Sequence, residues 1–324
     1  MHTRPLAVHA SRLLSPSHFP RSSWGGGNPP RLAPRHIAPR LCLAMSLSSI
    51  LPVPPAVLVK DPKAAETLHE LLGDKSQHIE FQGFLSNHVK HALIALGGLD
   101  ASDQRIREYY EQYTKQTPYG WSVEPAEPEA QGGVVSDSEF ESLFGRKEKY
   151  QHLISFFDAK EKELGMDAVL ARYAPILLTG SMGALLHAII HTGWGLGAGS
   201  RRMTVEGLAY LAYAHVDVHP ERFKHSALPH SAPMDSILGL AEAAEAAGIA
   251  GWVKGVEADD KYAGYRLELE RAGFQRTVAM VVEEGHPLLH SLPAWLDDMP
   301  LPALFEELYK GIVTLYLAGA GGAG

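Results

Sequence analysis

The chain is predicted to be all-α: one multi-helix globular domain built around a buried central helix that carries histidines. Three observations predict this. Apolar residues recur with a 3.6-residue period in one segment after another, and Gly or Pro punctuation falls between those segments. Strand-like alternation is confined to Arg276-Thr-Val-Ala-Met-Val-Val, which reads equally well as helix. No repeat of 20–50 residues is visible, and a chain of 324 residues, 45% of them hydrophobic, is long enough to bury a substantial core.

In chain order, residues 1–58 read as a disordered leader, 59–318 as the helical domain and 319–324 as a frayed Gly/Ala tail. The leader has no acidic residue and is rich in Arg, Ser and Pro, which fits either an organelle transit peptide or a mis-assigned stretch upstream of a start at Met45. The first reading expects a chloroplast or mitochondrion, the second the cytoplasm. An amphipathic helix spans about 62–72 and stops at Gly73-Asp74. The next is expected over 79–96, because Phe81, Phe84, Leu85, Val89, Ala92, Leu93 and Leu96 keep helical register up to Gly97-Gly98. Ser102 is a good N-cap for a helix placing Ile106, Tyr109, Tyr110 and Tyr113 on one side. The Pro-, Glu- and Gly-rich stretch 117–138 has no period and reads as a loop. Helices resume at 146–164 and 166–173. Pro175 is expected to open a long apolar helix, broken up by Gly193, Gly195, Gly197 and Gly199. A capped helix follows over 203–217, then a His- and Pro-rich loop at 218–232, with helical segments near 233–247 and 301–317.

The chemistry concentrates on His187 and His191, four residues apart in an apolar run. Such residues lie on one helix face with Cβ atoms about 5–6 Å apart, and imidazoles buried on an apolar helix need polar partners. One partner that serves both is a metal ion. His88 and His91 form a second pair, whose spacing of three also permits joint ligation, with Lys90 on the outer face. The plainer alternative is core histidines bonded to backbone carbonyls. Glu206 is placed to hold the free N–H of a ligating imidazole, and Trp194, Tyr210 and Tyr213 to line an aromatic pocket. Glu66-x-x-His69 and Glu283-x-x-His286 match the Glu-x-x-His pattern of di-iron bundles, but the second is broken by Gly285 and Pro287.

Composition excludes several classes. The sole cysteine, Cys42, lies in the leader, so the body has neither disulfides nor thiolate ligands. Beyond residue 60, 22 basic residues face 37 acidic ones, which argues against a nucleic-acid partner. No apolar run reaches the roughly 18–20 residues of a membrane span. Gly193-x-Gly-x-Gly-x-Gly follows a helix rather than a strand and is no dinucleotide fingerprint.

The segments Gly83-Phe-Leu-Ser-Asn-His-Val-Lys-His-Ala-Leu-Ile-Ala-Leu, Arg105-Ile-Arg-Glu-Tyr-Tyr-Glu-Gln-Tyr, Thr117-Pro-Tyr-Gly, Leu185-Leu-His-Ala-Ile-Ile-His-Thr-Gly-Trp-Gly and Val205-Glu-Gly-Leu-Ala-Tyr-Leu-Ala-Tyr resemble the questin oxidase-like family over most of 62–318. The resemblance implies a helical oxygenase that inserts oxygen into, and opens, a polycyclic phenol or quinone ring, using O2 and, in some descriptions, NADPH. It also implies Fe(2+) held by histidines, as in a relative with four histidines and a carboxylated lysine. Carried over, His88 or His91 with His187 and His191 would be ligands. Family members continue past the equivalent of Leu315-Tyr-Leu-Ala with a further histidine-bearing helix expected to hold the remaining ligands, whereas this sequence stops at Gly324. The rival expectations are a truncated pseudoenzyme or metal-free helical ligand-binding protein, and a helical metallohydrolase. Substrate identity and oligomeric state stay open.

Overall fold

The computed structural model describes residues 59–128, 135–217, 243–264 and 273–288, with a few positions between 300 and 310. The leader, the 218–232 loop and the 319–324 tail lie outside the described residues, as do most of 233–247 and 301–317. The all-α expectation holds: the described elements are helices apart from one two-stranded hairpin. None of these helices is long and apolar enough to cross a membrane.

Helix α1 spans Pro62–Leu72, capped by the Asp61 carboxylate accepting from the Lys63 amide and closed at Gly73. The segment expected to be one helix over 79–96 is instead a hairpin, β1 Glu80–Phe81 and β2 Leu85–Ser86, followed by helix α2, Val89–Gly98. Two facts override the helical period. Gln82 and Gly83 adopt positive φ (53° and 74°), which an α-helix does not accommodate. Glu80 is fully buried by partners distant in sequence. Helix α3, Asp103–Lys115, starts where Ser102 predicts, with the Ser102 hydroxyl accepting from Arg105 N–H. Ile106 and Tyr113 are buried, and Tyr109 and Tyr110 pack partly against them.

A short helix α4 (Asp137–Phe140) leads to α5 (Tyr150–Leu164) and α6 (Met166–Leu177). Pro175 lies within the last turn of α6 and does not open the histidine helix. That helix, α7, begins only at His187 and ends at Gly197, after a tight turn in which Ala184, Leu185 and Leu186 all have positive φ. Helix α8, Arg201–Tyr213, is capped by Ser200. Helices α9 (Ile249–Ala258) and α10 (Gly273–Glu284) form a smaller pair, and the latter settles the ambiguous 276–282 run as helix.

Every residue of α8 from Met203 to Tyr213 is buried, so α8, not α7, is the central helix. It packs on α5 and α6 through Phe156, Phe157, Val169, Tyr173 and Leu177. On its other side, Met203 joins a second cluster formed by α1, α2 and α3. The expected fully buried histidine helix is corrected accordingly. α7 lays one face along α8, while Ile189, Ile190 and Trp194 remain exposed. Nor do its glycines break it. A Cβ on Gly195 would stand 2.7 Å from the Thr204 nitrogen, and one on Gly207 of α8 would stand 2.7 Å from Thr192 Cα. These glycines let the two backbones meet, as does Gly183 against the Ala214 carbonyl.

Candidate functional site

The two histidine pairs come from the N-terminal ends of two helices. His88 is the N-cap residue of α2 and His91 lies in its first turn; His187 opens α7 and His191 follows one turn later. The hairpin thus sets the first pair, because it delivers the chain to α2 at His88 rather than through a continuous helix. Tyr113 from α3 secures this entry by accepting the His88 backbone N–H at 3.3 Å.

All four rings meet. Ring centroids are 5.1 Å apart for His88–His91, 4.9 Å for His88–His187 and 5.0 Å for His91–His191. Nδ1 of His88 and Nδ1 of His91 share one hydrogen at 2.9 Å. Nδ1 of His187 donates to the Ala184 carbonyl at 2.6 Å, an arrangement that leaves its Nε2 as the lone-pair nitrogen. His191 is 2% exposed, and neither of its nitrogens makes a hydrogen bond; His91 Nε2 is also buried without one.

Burial favours the neutral form of His88, His91 and His191. It depresses His91 to about 2, helped by His191, His88 and His187. It also lowers His88, with His187 and His191 adding to the effect. His191 is lowered by burial against the opposing pull of Glu206. Neutral imidazoles keep a lone pair for a ligand. The donor chemistry therefore fits a first-row transition cation: several imidazoles, no thiolate, and buried ring nitrogens without partners, each costing about 1–3 kcal/mol as it stands. Among the described residues, no three His, Cys, Asp or Glu side chains stand in a ready coordination arrangement. The rings pack edge to face, and a shared ion would require them to turn their lone pairs inward.

Lys90, expected on the outer face, is 8% exposed and is corrected to a buried group. It lies between the two histidines in sequence, yet its ammonium reaches Glu206 of α8 at 2.7 and 3.0 Å. Glu206 Oε2 lies 3.5 Å from His191 Nε2. That separation is an ion-pair distance but not a formed hydrogen bond. Burial pushes the Glu206 carboxyl up, but Lys90, His191 and Arg202 overcome this and hold it at about 2. Sequence reasoning missed Lys90, because only the packing of α2 on α8 brings its charge to this carboxylate; Arg202 reaches Glu206 along the same helix, four residues away, a spacing that was legible in the sequence.

The aromatic residues do not gather in one pocket. Trp194 lies beside the cluster, its ring 6.1 Å from His91, and is 39% exposed. Tyr210 and Tyr213 are buried elsewhere, both donating to Glu80 at 2.9 Å, with the Tyr210 hydroxyl also 2.6 Å from Ser86 Oγ. Lys147 completes this second network at 3.1 Å from Glu80. A cleft behind His191 is lined by His78, Asn87, Lys90, Tyr150, Arg202 and Glu206. Its enclosed part has room for about one water molecule, too little for a polycyclic substrate. The di-iron alternative is disfavoured, since Glu66 and His69 are both exposed.

A model of the questin oxidase-like family matches residues 85–323 of this chain. The Baeyer-Villiger oxidase AgnL3 of Paecilomyces divaricatus is 27% identical over 134 residues, which cover 39% of this chain. The match spans 28% of that relative's length.

Proposed function

Since the chain belongs to the questin oxidase-like family, we propose that it is an oxygenase whose four clustered histidines hold an iron ion beside an aromatic substrate. The observation that carries the reading is the convergence of His88, His91, His187 and His191 at ring separations of 4.9–5.1 Å. When bound, Fe(2+) supplies the activation of O2 that closed-shell side chains lack. The protein's own part is positional. His187 is oriented by the Ala184 carbonyl. Trp194, with the exposed Ile190 and Leu186 on the same helix and turn, offers an apolar, flat-faced surface next to His91 for a polycyclic phenol or quinone. Ring opening by oxygen insertion fits that placement. The name of the distant relative, a Baeyer-Villiger oxidase, points to the same class of chemistry.

Metal analysis of the purified full chain tests the assignment. About one iron per chain is expected, lost when His187→Ala and His191→Ala are combined. A metal-free protein of unchanged fold would instead support a helical ligand-binding protein. Oxygen uptake with a hydroxylated anthraquinone as probe separates the oxygenase from a metallohydrolase, which consumes none. Comparing uptake with and without NADPH then distinguishes the two oxygenase types, since a monooxygenase needs two electrons from the nicotinamide for each O2 and a dioxygenase needs none.

A further inference from the structure

The carboxylate of Glu206 is held more firmly than charge balance requires. Its Oε1 accepts from Lys90 at 3.0 Å and from Arg202 Nε at 2.8 Å, and its Oε2 accepts from Lys90 at 2.7 Å. The third Lys90 proton goes to the Asp74 carbonyl at 2.9 Å, so the ammonium is fully committed. One cation would neutralise Glu206; two leave a surplus of positive charge next to His191. Such an arrangement does not serve to stabilise an imidazolium. Nor is net stability a sufficient reason for it, because a buried ion pair is often no more stabilising than apolar residues of similar volume.

What the arrangement does fix is the direction of the free lone pairs on Oε2, the atom 3.5 Å from His191 Nε2. An ionised carboxylate only accepts, so the imidazole nitrogen facing it must carry the hydrogen. His191 Nδ1 is then the lone-pair nitrogen. It is buried, makes no hydrogen bond, and belongs to the ring 5.0 Å from His91. His187 has the opposite arrangement, with Nδ1 spent on a carbonyl.

We propose that Lys90 is a positioning residue: by clamping Glu206 it selects the Nε2–H form of His191 and so presents Nδ1 to the histidine cluster, in a site that mixes δ and ε donors. The consequence for metal binding rests on the reading above; the choice of tautomer does not.

Two measurements on the full chain test the proposal. In metal-free protein labelled with 15N-histidine, long-range 1H–15N correlations, with His191 assigned by His191→Gln, should show a hydrogen on Nε2 and an unprotonated Nδ1. Lys90→Met should convert this into a mixture of tautomers, and Lys90→Arg should restore it. A hydrogen on Nδ1 in the wild type, or an unchanged tautomer in Lys90→Met, overturns the proposal. Cobalt(II) titration followed by visible absorption supplies the second readout. Lys90→Met is expected to lose about 10–100-fold in affinity, the usual effect of disturbing a ligand's supporting partner, with Lys90→Arg close to wild type. Equal affinity in Lys90→Met and wild type counts against the proposal. Failure of the wild type to bind cobalt at all would overturn the metal reading and leave the tautomer to be judged by the NMR result.

Discussion

Glu80 and His215 show how much a single side chain's role depends on neighbours distant in sequence. Glu80 begins a two-residue strand, and Tyr210, Tyr213 and Lys147 all donate to it in the interior. His215 falls in the last turn of the helix expected over 203–217, where nothing in the sequence marks it as buried. It stacks on Phe144 at 4.5 Å, lies 3.2 Å from Thr179 Oγ1 and fills the space beside Gly180. Burial depresses it to about 4, with Asp217 pulling weakly the other way. The folded state thus favours the neutral ring, whereas the unfolded chain takes up a proton near its ordinary value. The resulting stability is fully present above pH ~6.5 and is lost as pH falls toward 4, about 3 kcal/mol at most. Urea unfolding of His215→Phe should show a shallower fall in stability over that window than the wild type; equal slopes would refute this role.

At the scale of elements, the crossing of α7 on α8 decides where the second histidine pair sits. Gly207 meets Thr192, the neighbour of His191, with no room for a methyl group. Gly207→Ala should therefore destabilise by about 1–3 kcal/mol from overpacking, although alanine favours helix by about 1 kcal/mol. Gly193 of the same helix pair has nothing within 4 Å of an added Cβ, so Gly193→Ala should stabilise by up to about 1 kcal/mol. Chemical denaturation of the two variants reads the contrast directly; a shift of the same sign in both would show that the close approach is not what holds the crossing. Elements were legible where a cap and an amphipathic period agree, as at Ser102. They were misread where a period ran across a turn, as at Gln82-Gly83 and again at Ala184–Leu186.

At the scale of the molecule, the aromatic cluster of α4, α5 and α6 is distinct from the histidine cluster. Phe140, Phe156, Phe157 and Tyr173 pack at centroid distances of 4.6–5.7 Å with no histidine among them. Removing a bound metal with a chelator should therefore leave the far-ultraviolet circular dichroism unchanged while lowering the melting temperature, as expected for a ligand that binds only the folded state. Loss of helical signal on chelation would instead make the metal a folding element.

By itself the sequence determined the helical class, the starts of α1, α3 and α6, and the two histidine pairs, because caps, periods and i, i+4 spacings are local properties of the chain. The tertiary structure decided that all four rings meet, that α8 rather than α7 is the buried axis, and that Lys90 turns inward to Glu206. Those outcomes depend on which helices touch. A buried charge is tolerable only where a partner from another element supplies the hydrogen bonds that water would otherwise make.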